Sequence, residues 1–136
     1  NIERLIDKND RIRIVFNENF ENGISSSIKL GLKNISKNTD AFFICLADMP
    51  KVNFYNKIIS IYMSNKNKSE IFIPTYKNKQ TNPILFTRSM ESKIMSIQGD
   101  FGAKQILELY KNKILNININ DFSILKDFDV LDDFAS

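Results

Sequence analysis

Two acidic segments, far apart in the sequence, contain the side chains best suited to bind a divalent cation. Asp48 stands in LADMP, after an apolar run and before a proline, while Asp127 and Asp129 stand in KDFDVLDDF. Carboxylate oxygens are ligands that hard cations such as Mg²⁺ prefer, and two acids at alternate positions share one face of a strand. The structural alternatives are that Asp48 caps a helix and that the terminal acids form a solvated tail.

A serine-rich segment, GISSSIKLGL at residues 23–32, is the second candidate. Serine hydroxyls and the free N–H groups at a helix N-terminus can hydrogen-bond to a base, a ribose or a phosphate. N-capping by Ser25 or Ser26 is the structural alternative, because serine is a preferred N-cap residue. The spacing by itself does not decide between the two.

A glycine turn, QGDFGAK at residues 98–104, is the third candidate. Gly99 and Gly102 bracket a tight turn ahead of a predicted helix, and Asp100 would cap that helix. A Gly-x-x-Gly turn is a weak indication of function on its own.

The elements that must position these residues alternate between strand and helix. Helices are predicted over about 24–35, from Pro50 onward and after Gly99. Strands are predicted at residues 11–16, 41–47, 71–74, 83–86 and 114–119. The alternation is typical of a three-layer, Rossmann-like α/β fold with a mostly parallel sheet and helices on both faces. In such folds ligands bind beyond the carboxyl ends of the strands, and Asp48 directly follows the 41–47 run, predicted as a central strand.

The composition predicts one soluble domain over residues 1–136, with 43% hydrophobic and 26% charged residues. The lysines behind the net charge of +3 are scattered, so we expect no nucleic-acid partner. The longest apolar run is too short to span a membrane, and no signal peptide opens the chain, which predicts a cytoplasmic protein without a membrane partner. The lack of histidine excludes histidine-based catalysis, and the lone Cys45 is predicted to be a small buried hydrophobe.

In their order and spacing, the segments resemble the motifs of a known family. NENFENGISSSIKLGL, LADMP, IPTYKNKQTNPILF, QGDFGAK and KDFDVLDDF resemble those of the molybdenum-cofactor cytidylyltransferase-like proteins, within the broader MobA-like nucleotidyltransferases, over residues 17–134. The resemblance implies a Mg²⁺-dependent transferase of molybdenum cofactor biosynthesis. Such an enzyme joins CMP or GMP, from CTP or GTP, to molybdopterin and releases pyrophosphate, and a molybdenum hydroxylase is a possible partner.

The resemblance also implies roles for individual residues. Asp48 and Asp129 match the catalytic, metal-binding acids of the family, with Asp127 as a neighbouring metal ligand. Ser27 matches a serine that contacts the nucleotide near its base, and Gly23 and Asp48 belong to the same nucleotide site.

A second set of residues matches the side of the family's site that accepts the pterin. The Asn-Pro element precedes the PILF strand, and the Gly-Asp-x-Gly turn follows it in the sequence. The residues implied to line the pterin pocket are Asn82, Pro83, Gly99, Asp100 and Gly102.

One family motif, the glycine-rich loop that holds the nucleotide phosphates, has no counterpart among the four glycines. The retained acidic residues favour the interpretation that the chain is part of a complete enzyme, without its first strand and loop. The alternative is a non-catalytic protein that binds the molybdenum cofactor or inserts it into a molybdenum hydroxylase. A sugar-phosphate nucleotidyltransferase is a third possibility.

Overall fold

The structure is a computed structural model that describes residues 10–46, 54–99 and 104–119. The described helices are α1 (Ile24–Lys33), α2 (Tyr55–Asn65), α3 (Glu91–Met95) and α4 (Lys104–Leu109). The described strands are β1 (Ala41–Ile44), β2 (Ile71–Tyr76), β3 (Lys79–Gln80), β4 (Ile84–Thr87) and β5 (Ile114–Asn118). The predicted α/β class is confirmed.

The five strands form one open sheet in which β4 lies between β1 and β2 and is antiparallel to both. On its other side β2 pairs in parallel with β5. It follows that β1, β2 and β5 share one direction, as expected of a mostly parallel sheet, and that β4 is an inserted antiparallel strand.

The turn between β2 and β3 explains why β4 runs backwards. Lys77 and Asn78 have φ values of 47° and 63°, and two successive positive φ values are the mark of a tight two-residue hairpin turn. A hairpin reverses the chain, so β3 and then β4 return along β2, with Thr81 N–H donating to Pro74 O at 2.9 Å. The sequence analysis missed β3 because its strand is only two residues long.

Alternating side chains of the sheet build two cores, one on each face. Ile71 and Ile73 of β2 face α1, α3 and α4, while Phe72 between them faces α2. The first core is completed chiefly by Leu32, Phe42, Phe86, Met90, Ile94 and Ile106. The second is completed by Phe54, Ile58, Tyr62, Leu85, Ile117 and Ile119. Because each large apolar side chain buried this fully contributes about 1.5–3 kcal/mol, helix packing on both faces holds the sheet in place.

The strand predicted at residues 11–16 is not observed. Residues 12–17 form no strand, and Ile12 and Ile14 are 46% and 41% exposed, because no described strand lies beside them. On α2, Ile58 is fully buried, whereas the neighbouring Ile59 is 41% exposed.

The predicted central strand at 41–47 is shorter than expected and occupies an edge of the described sheet. The strand β1 ends at Ile44, so Cys45 lies past the last sheet pairing. For that reason Cys45 is exposed rather than buried as predicted.

Candidate functional site

Most of the predicted site residues that the structure describes lie at one end of the strands of the sheet. The strands β1, β2 and β5 all finish at this end, which we call the carboxyl edge. Because β4 is antiparallel, it begins there: Ile84 pairs with Ile44, the last residue of β1. Asn82 and Pro83, just before Ile84, therefore lie at the carboxyl edge, one strand away from β1.

Two clefts lie on either side of α1, near β1, which is the outermost strand of the described sheet on that side. The first cleft has a volume of about 350 Å³ and lies between α1 and β1, with a lining that is apolar except at Ser27 and Cys45. The second cleft, of about 390 Å³, lies between α1 and the extended segment before it, and includes Arg13 and Asn17. Ser27 borders both clefts. The α1 face between them is open, since a Cβ added at Gly31 would meet nothing within 4 Å.

Glycine is required where the chain enters α1. Gly23 is the N-cap residue, with φ 89° and ψ 178°, a backbone conformation that other residues rarely adopt. No side chain caps the helix, so the structural alternative, N-capping by Ser25 or Ser26, does not apply. The helix begins at Ile24, which places both serines inside its first turn and directs their hydroxyl groups elsewhere.

A hydrogen bond from Ser25 joins the serine-rich segment to the glycine turn. Ser25 is buried, and its hydroxyl donates to the carbonyl oxygen of Gly99 at 2.5 Å. Gly99 has a φ of 83°, which again favours glycine. Two motifs that the sequence analysis assigned to different halves of the site are therefore in direct contact. Asp100 and Gly102, from the same turn, lie outside the described residues.

The side chain of Asn17, which the sequence analysis did not select, organises the other two serines. Its Nδ2 donates to Ser26 Oγ at 2.8 Å and to Ser27 Oγ at 2.9 Å, while its Oδ1 accepts from the backbone N–H of Asn19 at 3.0 Å. The Ser26 hydroxyl is within bonding distance of Gly23 O, at 2.8 Å, and of Asn19 O. In the sequence, the one indication of a role for Asn17 is that it is the first residue of the segment NENFENGISSSIKLGL.

The Asn-Pro element lies in the connection between β3 and β4. The peptide bond between Asn82 and Pro83 is cis. Pro83 is fully buried at the start of β4, and Asn82 is half-buried. No described contact links the pair to Ser27 or Gly99, so the structure brings these residues to one edge without joining them.

Asp48, Asp127 and Asp129, the predicted metal ligands, lie outside the described residues. Within residues 10–46, 54–99 and 104–119, no group of three His, Cys, Asp or Glu side chains could hold a metal ion. Leu46, which lines the first cleft, is separated from Asp48 by one residue in the sequence.

Cys45 and Tyr55 form a polar pair beside the first cleft. The Tyr55 hydroxyl donates to Cys45 Sγ at 3.6 Å, and the Tyr55 ring packs edge-on against Phe43, with ring centroids 5.1 Å apart. Partial burial, the hydrogen bond to Cys45 and electrostatic repulsion from Cys45 raise the pKa of Tyr55 to about 12. Tyr55 is therefore neutral near pH 7 and acts as a hydrogen-bond donor.

Among the described helices, none has both the length and the apolar character needed to cross a membrane.

The fold is similar to that of Rv0371c from Mycobacterium tuberculosis H37Rv. The manganese complex of that protein matches with a TM-score of 0.68 and 16% identity, over 87% of this chain and 62% of that chain. Another structure of Rv0371c matches with a TM-score of 0.56 and 16% identity, over 68% and 47% of the two chains. The Rv0371c homologue from Mycobacterium sp. strain JC1 matches with a TM-score of 0.57 and 18% identity, over 70% of this chain and 46% of that chain. The chain thus spans 62% or less of the length of these proteins.

None of the curated proteins matches the chain in sequence. Residues 2–114, in contrast, match the family described as the MobA-like NTP transferase domain. The matched range contains the serine-rich segment, β1 and the glycine turn. The chain belongs to the MobA-like NTP transferase domain family.

Proposed function

We propose that this chain is part of a nucleotidyltransferase that joins CMP or GMP, from CTP or GTP, to molybdopterin and releases pyrophosphate. The observation that carries the proposal is the hydrogen bond from Ser25 to Gly99. It joins the segment matched to the family's nucleotide site to the turn matched to its pterin site. Family membership supports the use of a nucleoside triphosphate.

The first cleft is a suitable place for the planar ring of the nucleotide base. Its volume of about 350 Å³ falls within the usual range for small-molecule sites, and its lining is apolar with few polar groups, as such sites require. Phe42 and Phe43 contribute to one side of the cleft, and Ser27 lies on the other. A base bound there would leave its phosphates to extend toward the carboxyl edge.

In the proposed reaction a phosphate oxygen of molybdopterin attacks the α-phosphorus of the nucleotide. A new P–O bond forms, the bond from the α-phosphorus to the bridging oxygen breaks, and pyrophosphate leaves with the electron pair. In such reactions the protein aligns the two substrates and neutralises the charge that develops on the phosphate.

We assign the charge-neutralising role to a Mg²⁺ ion bound by Asp48 and Asp129, with Asp127 as a further ligand. When bound, the ion would polarise the α-phosphate oxygens. Carboxylates are the expected ligands for this cation. The structure of Rv0371c in complex with manganese supports the use of a divalent cation by a protein of this fold.

The test measures pyrophosphate release from CTP or GTP in the presence of molybdopterin and Mg²⁺. Asp48→Ala should lower the rate about a thousandfold, since losing the metal removes several kcal/mol of transition-state stabilisation. The control is Asp40→Ala, which removes an exposed acid next to the opposite end of β1 and should leave the rate unchanged.

A second measurement follows Mn²⁺ binding by electron paramagnetic resonance, which does not depend on turnover. Asp48→Ala and Asp129→Ala should each weaken Mn²⁺ binding, whereas Asp40→Ala should not. Undiminished turnover in Asp48→Ala would contradict the metal assignment. Binding of molybdopterin without any pyrophosphate release would favour a cofactor-insertion protein, and activity with UTP and a sugar phosphate would favour a different acceptor.

A further inference from the structure

The three serines of α1 differ in what their hydroxyl protons do. Ser25 donates its proton to Gly99 O, and Ser26 directs its proton to Gly23 O or Asn19 O. The Ser27 hydroxyl has no acceptor among the described residues. It only receives a hydrogen bond, from Asn17 Nδ2 at 2.9 Å.

The orientation of the Asn17 side chain follows from its partners. A backbone N–H can only donate, so the Asn17 atom that faces the N–H of Asn19 at 3.0 Å must be the amide oxygen. The NH₂ group therefore faces Ser26 and Ser27, and its two protons are used one on each serine. A serine oxygen that receives a proton from Asn17 must direct its own proton away from it.

We propose that Asn17 is a positioning residue that makes Ser27 a hydrogen-bond donor toward the clefts, and that Ser27 binds an acceptor oxygen of the nucleotide. The inference rests on the proposed function, which places a nucleotide at the start of α1. Ser27 is exposed and borders both clefts, so its free proton is accessible to a ligand. A base carbonyl or a phosphate oxygen accepts such a proton, whereas the amino group of a base is a poor acceptor.

A purely structural role would give Asn17 the task of holding the loop at residues 17–23 against α1. The substitution Asn17→Asp separates the two roles, because the carboxylate has the same shape and still accepts from the N–H of Asn19. Its second oxygen can only accept, so the Ser26 and Ser27 hydroxyls would donate to it. The loop would remain attached, but the Ser27 proton would point toward residue 17 instead of the clefts.

The experiment measures the affinity of this chain for CTP, GTP and cytidine by calorimetry, with Mg²⁺ present. Asn17→Asp and Ser27→Ala should each weaken CTP binding about tenfold, the loss expected for one hydrogen bond to a charged group. The double variant should bind no more weakly than either single variant, because both remove the same bond. The melting temperature of Asn17→Asp should stay close to that of the unaltered chain.

The matched control is Asn19→Asp, which introduces the same charge two residues away at an exposed position without replacing the atoms that bond to Asn17 or Ser26. It should leave CTP affinity unchanged. A loss for Asn17→Asp with both CTP and cytidine would place the acceptor on the base or ribose, and a loss with CTP alone would place it on a phosphate.

Several outcomes would overturn the inference. Unchanged CTP affinity in Asn17→Asp, an equal loss in Asn19→Asp, or a further tenfold loss in the double variant would each remove the positioning role and leave the proposed function standing. An unaltered chain that binds neither CTP nor GTP would overturn the proposed function together with this inference.

Discussion

The hydrogen bond between Ser25 and Gly99 provides a direct test of how the two motifs are held together. The Ser25 side chain is only 6% exposed, and its partner lies 74 residues away in the sequence. Replacing Ser25 with alanine removes the donor and keeps the helix, because alanine is the best helix former. Any loss of stability therefore reports on the contact rather than on α1 itself.

The expected loss follows from what happens to the carbonyl group of Gly99. A buried acceptor left without a donor costs about 1–3 kcal/mol, while a hydrogen bond that water can replace contributes about 1 kcal/mol. Gly99 is itself exposed, so water can reach its carbonyl oxygen once the serine hydroxyl is gone. We therefore expect Ser25→Ala to lower the free energy of unfolding by about 1 kcal/mol, which corresponds to about 4 °C in melting temperature.

Urea unfolding followed by circular dichroism measures this free energy. The control is Ser64→Ala on the exposed side of α2, where the hydroxyl donates to Ser60 O in the same helix. That variant should be as stable as the unaltered chain, or slightly more stable. If Ser25→Ala proved as stable as Ser64→Ala, the contact between the serine-rich segment and the glycine turn would not stabilise the fold, and the argument for a joined site would fail.

Two further predictions concern α2 and the residues beside the first cleft. Ile58→Ala should lower the free energy of unfolding by about 2–5 kcal/mol, since Ile58 is 0% exposed. The neighbouring Ile59 is 41% exposed, so Ile59→Ala should lower it by less than about 1 kcal/mol. Equal losses for the two variants in urea unfolding would refute the observed orientation of α2. Burial and Cys45 raise the pKa of Tyr55 from 10.0 to about 12. The protonated Tyr55 side chain therefore contributes its full stabilisation of the fold below pH 10, and this contribution is lost as the pH rises through 12. Ultraviolet titration should show one tyrosine that ionises near pH 12, and Cys45→Ala should lower the pKa of that tyrosine. An unchanged pKa in the variant would exclude Cys45 as a cause of the shift.

Most of the individual elements were predictable because their patterns are local. The helical spacing of Ile24, Ile28 and Leu32 predicted α1, and the alternation in ILNINI predicted β5, in which Ile117 is buried while Asn116 and Asn118 are exposed. These periodicities arise from the geometry of a single element. They do not depend on where that element packs.

Errors arose where a segment's environment depends on distant parts of the chain. The alternating residues 11–16 have the pattern of a strand, but a strand needs a neighbour for its backbone hydrogen bonds, and none of the described strands lies beside them. The apolar run at 41–47 predicted a central strand, yet β1 pairs only with β4 among the described strands. The exposure of Cys45 follows from the early end of that strand.

The sequence by itself determined the alternation of strands and helices and the family to which residues 2–114 belong. Both depend on the order and spacing of residue types along the chain. Only the tertiary structure decided that Ser25 contacts Gly99, that β4 is inserted between β1 and β2, and that Asn17 donates a hydrogen bond to Ser27. These relations depend on atoms brought within about 3 Å by the packing of separate elements, and no periodicity within one segment specifies which distant atom will be the partner.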